Sequence, residues 1–170
     1  MVGTAEGRDV VEVLLEAHVE LRHQLAHADA LARASVTADA RETAEGLSDY
    51  LECMLPLHCA DEDRSLAPRL RGRHPVVDDA LHQMERQHLA LAAPLARLRL
   101  VCRMIARDVS RLHALRFELA AATDDVRACL TEHQALEESM IFPALKRVLY
   151  VDELESILSE MHQRRADAAA

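Results

Sequence analysis

One short pattern occurs twice in this chain. His58–Glu62 (HCADE) and His133–Glu137 (HQALE) are both HxxxE, and each runs into a proline-bearing apolar tail, LAPRL from Leu66 and IFPAL from Ile141. Residues four apart on a helix share a face, about one turn apart. Each imidazole and its carboxylate can therefore reach one metal ion, or two adjacent ones. His18 in LLEAHVEL and His88 in MERQHLAL stand alone in similar surroundings. The order H…HxxxE…H…HxxxE assigns one element to each of four predicted helices, and it reads as a metal site inside a helix bundle.

Composition agrees with a helical fold. The 170 residues are enough to bury a real core. Half of them are apolar, yet aromatics make up only 2%, and the dominant Leu and Ala favour helix over strand. A net charge of −9 argues against nucleic-acid binding, which needs concentrated Lys and Arg. No signal peptide or membrane-spanning stretch is visible, so a soluble cytoplasmic protein is expected, with no membrane partner. Cys53, Cys59, Cys102 and Cys129 show no CxxC spacing, which argues for buried free thiols over a zinc ribbon or a redox motif.

Apolar periodicity predicts an all-α, up-down-up-down four-helix bundle with a short C-terminal helix. Helix 1 is expected over about Asp9–Arg33, with Leu14, His18, Leu21 and Leu25 inward. Helix 2 is expected over about Ala40–Asp63 and ends ahead of the Pro68, Gly72 and Pro75 connection. Helix 3 covers about Val76–Arg107. Helix 4 covers about Arg111–Ile141, stopping before Pro143. Pro56 and Pro94, inside helices 2 and 3, predict kinks near the candidate ligands. The chain reads as a single domain, residues 1–170, with the bundle at about 9–147 and a helical tail at about 151–165.

On these helices His18, His58, Glu62, His88, His133 and Glu137 all fall on core-facing stripes. A buried, unpaired carboxylate costs several kcal/mol. Two of them among four imidazoles make sense when cations compensate the charge. The nitrogen and oxygen set suits iron, manganese or zinc and excludes calcium, with iron the first choice for a dinuclear arrangement. His23 and His27 lie about 140° and 180° around helix 1 from His18 and face solvent. His74, His113 and His162 also read as surface residues.

The segments LLEAHVELRHQL, LHCADEDRSLAPRL, MERQHLAL and LTEHQALEESMIFPAL resemble the hemerythrin-like (HHE cation-binding) family. The resemblance implies a non-haem diiron centre with an oxo or hydroxo bridge. In it Glu62 and Glu137 bridge the irons, and His18, His58, His88 and His133 are terminal ligands. Oxygen-carrying hemerythrins have a second histidine on the third helix, spaced HxxxH. Here the corresponding positions around His88 are Met84 and Ala92. Glu85, one turn before His88, is the candidate for an additional ligand, with water, an exogenous ligand or a displaced His82 as the other options. An open coordination position favours binding and turnover of peroxide or nitric oxide over reversible oxygen carriage.

Around this set, Cys129 is expected near the pocket as a packed thiol, and Cys59 off the ligand face. Tyr50 reads as a core or surface residue, or else a nearby donor. Glu138 reads either as a hydrogen-bond partner for an imidazole or as solvent-facing. Three functions follow: a diiron protein that binds or senses O2, NO or peroxide; the same centre as a catalase-like or nitric-oxide-reducing enzyme; and a ferritin-like ferroxidase. The last is built on the ExxH pairs Glu20–His23 and Glu85–His88 with Glu62 and Glu137, and requires His23 to point inward.

Overall fold

The computed structural model describes residues 9–169. Five helical rods follow in order: α1 (Val10–Arg33), α2 (38–70), α3 (Pro75–Arg107), α4 (112–148) and α5 (Val151–Ala168). Short connections make the first four antiparallel neighbours. α1 packs on α2 and α4, and α3 packs on the same two, which closes the up-down-up-down bundle. No helix among the described residues is long and apolar enough to cross a membrane.

Local chemistry sets the ends. Asp9 caps α1 in a capping box with Glu12, and Thr37 caps α2 by accepting from the Ala40 N–H at 3.2 Å. Gly72 turns the chain at φ +76°, a conformation that only glycine adopts without strain. The ring of His74 caps α3, where Pro75 occupies the first turn and has no N–H to leave unpaired. His74 is thus a surface residue with a capping role.

α2 and α4 are longer than the sequence pattern indicates. Pro68 and Pro143 do not end them: α2 continues to Leu70 and α4 to Val148. The reason lies one turn earlier, in π-helical turns at Tyr50–Met54, Glu62–Leu66 and Glu137–Ile141. Each precedes a proline by two residues: Pro56, Pro68 and Pro143. A proline ring clashes with the carbonyl four residues back and cannot donate to it. Those carbonyls belong to Glu52, Arg64 and Ser139, each inside its π turn, where the wider helix opens the space. Pro94, by contrast, sits in uninterrupted α-helix.

The core has two apolar layers. One includes Leu21, Leu25, Leu47, Leu51, Leu55, Leu91, Leu98, Val126 and Leu130. The other includes Leu14, Leu66, Leu70, Leu81, Met84, Ile141, Phe142 and Leu145, together with Ile157 and Met161 of α5. On every rod the candidate ligand lies between them: His18 between Leu14 and Leu21, His58 between Leu55 and Leu66, His88 between Met84 and Leu91, His133 between Leu130 and Ile141. The polar groups form a slab between two greasy ones.

Phe142 forms part of the floor of that slab, with its ring 5.2 Å from the His18 ring and almost no exposure. Phe142→Ala is expected to destabilise the metal-free protein by about 3–5 kcal/mol, read by urea denaturation. A loss below about 1 kcal/mol would mean the site tolerates a cavity there.

Candidate metal centre

Two groups of donors meet in the slab. His18, His58, Glu62 and Glu137 form one, and Glu62, His88, His133 and Glu137 form the other. Within each group the ligand atoms all lie within 4.8 Å of one another. Both carboxylates belong to both groups. Glu62 turns Oε1 to His58 Nε2 at 2.9 Å and Oε2 to His88 Nε2 at 3.1 Å. Glu137 presents Oε2 to His18 Nε2 at 3.1 Å and to His133 Nε2 at 3.3 Å. All six sequence-derived candidates are brought together. His18, Glu62 and Glu137 are fully buried, while the His88 side chain keeps 11% of its surface.

The backs of the rings fix their orientation. His18 Nδ1 meets Glu138 Oε1 at 2.9 Å, and His88 Nδ1 meets Asp63 Oδ1 at 3.0 Å. A carboxylate at Nδ1 accepts its proton and leaves the Nε2 lone pair facing inward. His133 Nδ1 meets Gln87 Oε1 at 3.3 Å, and among the described residues His58 Nδ1 has no hydrogen-bond partner. Arg22 in turn donates to Glu138 at 3.4 Å and to the buried Gln134 at 2.9 Å. Glu138 was open to this role from sequence, but Asp63 and Gln87 were missed. The available signal was the acidic residue directly after each motif glutamate, Asp63 after Glu62 and Glu138 after Glu137.

Several other candidates stand apart. Glu85, the candidate for an additional ligand, joins neither group; its carboxylate pairs with Arg71. A residue one turn from His88 shares its face only loosely, and the Arg71 guanidinium offers a hydrated partner that the slab does not. His82 is exposed, as are His23, His27, His113 and His162. Glu20 is exposed and bonds Gln24, so the ferritin-like set is not assembled. Cys129 and Tyr50 pack beside the apolar layer nearer the α1–α2 connection, and burial pushes the Tyr50 phenol up. Cys59 belongs to neither group, but its thiol interacts with the His88 ring.

The residues pass a direct test for a cation. His18 Nε2, His58 Nε2, Glu62 Oε1 and both Glu137 oxygens are buried without a hydrogen-bond partner, although imidazoles and carboxylates approach to 2.9 and 3.1 Å. Close approach without hydrogen-bond alignment means that lone pairs converge on shared points instead of on one another. Such a cluster is costly unless positive charge occupies those points.

Protonation shows the same imbalance. Burial and the charge of Glu62 hold Glu137 well above the usual carboxylate range. Burial also opposes ionisation of Glu62, but His58 and the other imidazoles outweigh it and hold Glu62 low. Burial lowers His18, and lowers His133 to about 4. At His88 burial is outweighed by Asp63, Cys59 and Glu62, which push it up to about 12. Ionisation of the second carboxylate is thus disfavoured at Glu137, while protonation is favoured at His88.

A buried layer of imidazoles and shared carboxylates in a four-helix bundle is an arrangement that could hold metal ions. The hemerythrin HHE cation binding domain matches residues 9–145, and the chain belongs to that family. No curated protein matches it.

A cation that occupies this slab must displace the protons on Glu137 and His88. Zn2+ binding near neutral pH is therefore expected to release about one to two protons, and affinity is expected to rise with pH. Calorimetric titration in two buffers of different ionisation enthalpy measures this directly. No net release, or proton uptake, would contradict the protonation pattern described above.

Proposed function

We propose that the chain holds a dinuclear non-haem iron centre and uses it to bind or sense O2, NO or peroxide. His18 and His58 serve one iron, His88 and His133 the other, and Glu62 and Glu137 bridge the two. The observation that carries this reading is the sharing of both carboxylates between two four-donor groups. Neither group contains a thiolate, and mixed imidazole and carboxylate donors suit iron. A bound diiron pair would supply two adjacent redox-active Lewis acids for a small diatomic or peroxide ligand.

The chain's own residues set the conditions. Glu138 and Asp63 hold His18 and His88 with Nε2 inward. The two apolar layers limit water to the slab. On the α3 side the chain offers one donor only, because Glu85 is held outside by Arg71. That side is also the more accessible one, through the partly exposed His88, and there an exogenous ligand meets the fewest competing protein donors. The same feature favours a second reading, in which the centre disproportionates peroxide or reduces nitric oxide.

Aerobically purified protein is expected to hold about two irons per chain, with near-ultraviolet absorption of a bridged pair. Glu62→Ala and Glu137→Ala should each lose most of the iron while staying helical; two irons retained in either variant would end the bridging assignment. A stable spectral change on adding hydrogen peroxide supports ligand binding, and rapid oxygen evolution supports the enzyme.

Glu138→Gln and Asp63→Asn keep the shape of each acceptor and remove its charge. Each is expected to weaken iron binding about 10- to 100-fold, measured by competition with a chelator. Unchanged affinity in both would mean that the two carboxylates merely cap the surface.

A further inference from the structure

α5 lies beyond the family match, which ends at residue 145, yet it makes a dense polar contact with the helix that carries His58 and Glu62. Asp61 is fully buried and receives Arg164 Nε on Oδ1 and Arg165 NH2 on Oδ2, both at 2.7 Å. Ser65, also fully buried, accepts from Arg164 at 2.6 Å and donates to Glu160 at 2.5 Å. Arg69 completes the row, binding Glu160 at 2.6 Å and Ser156 at 3.0 Å.

The register gives this contact its meaning. Asp61, Ser65 and Arg69 form one stripe at four-residue spacing, facing α5. His58, Glu62, Leu66 and Leu70 form the adjacent stripe, facing the core. The π turn Glu62–Leu66 belongs to both, since it begins at the bridging carboxylate and contains Ser65. A π turn is a rare single-turn widening inside an α-helix, frequent at functional sites. α5 brackets this turn: Arg164 spans the Asp61 carboxylate and the Ser65 hydroxyl, side chains on either side of Glu62. Ile157 and Met161 seal the same face with apolar packing.

We infer that Arg164 and Arg165 of α5, acting through Asp61 and Ser65, are positioning residues for Glu62, so that α5 docking and cation binding are coupled. Linkage makes the coupling reciprocal: whatever α5 contributes to cation affinity, the cation contributes to α5 docking. Occupancy of the slab is thereby reported on the outside of the bundle, by a helix whose outer face is exposed to solvent. This inference rests on the dinuclear reading of the site.

The test uses the full chain and Fe2+ added anaerobically. In the Arg164→Gln/Arg165→Gln protein, Fe2+ affinity is expected to fall about tenfold or more; Arg164→Lys/Arg165→Lys should recover most of the loss. A purely structural contact would lower the melting temperature and leave Fe2+ affinity unchanged well below it. Wild type that binds Fe2+ no more tightly than the Gln pair overturns the inference and leaves the iron reading standing. Wild type that binds no Fe2+ overturns both. If the Gln pair does not fold, amide exchange of residues 151–168 in wild type decides the matter: slowing on Fe2+ addition supports the coupling, and unchanged exchange overturns it.

Discussion

The structure depends on one constraint, the placement of two carboxylates in the middle of a leucine-rich bundle. Glu62 and Glu137 are fully buried and close enough to share the same imidazoles. Neither makes a full set of hydrogen bonds. In a dry slab such a pair does not ionise twice without compensation. Burial and the neighbouring charge of Glu62 push Glu137 up, and Asp63, Cys59 and Glu62 push His88 up, so both groups favour their protonated forms. Everything around the pair follows from that requirement. Four rods each deliver one imidazole at the same height, and apolar layers above and below leave the carboxylates no partner other than the slab itself.

The recurring proline has a part in this. In both motifs it falls six residues after the glutamate, Glu62 to Pro68 and Glu137 to Pro143. In both cases the π turn begins at the glutamate itself. An inserted π turn changes the helical phase, so residues beyond it face the core differently from what a straight α-helix would give. The phase change lets Leu70 and Leu145 pack in the floor layer while the histidine and glutamate above them stay in the slab. The tails LAPRL and IFPAL are thus part of the same device as HxxxE, not helix terminators.

This explains what was legible in the chain and what was not. The rods, the six donors and the solvent-facing His23 and His27 could all be read, because helical periodicity alone places them. The ends of α2 and α4 could not, because a proline read by local rules breaks a helix, and only the packed structure shows that the strain was absorbed one turn earlier. Glu85 shows the limit of sharing a helix face: one turn from His88 it still finds Arg71, because a hydrated ion pair competes well with a buried donor position. Asp63 and Glu138 carried a weak local signal, the acid that follows each motif glutamate. The Asp61 contacts carried none, since Arg164 and Arg165 lie more than a hundred positions away and nothing in either segment names the other.

The two halves of the pattern are alike in sequence and unlike in setting. The His18 and His58 side is buried, with His18 tilted against Phe142 and backed by Glu138 under Arg22. The His88 and His133 side is partly open and has a thiol, Cys59, beside its outer imidazole. The supports also differ: α2 is gripped from outside by α5, and among the described residues no arginine pair grips the residue before Glu137. An exchange of protons for cations therefore does not act on the two glutamates alike. Glu62 is held ionised and braced, and it can serve as the fixed side of the centre. Burial and the charge of Glu62 disfavour ionisation of Glu137, so the two carboxylates meet an arriving cation from different starting points.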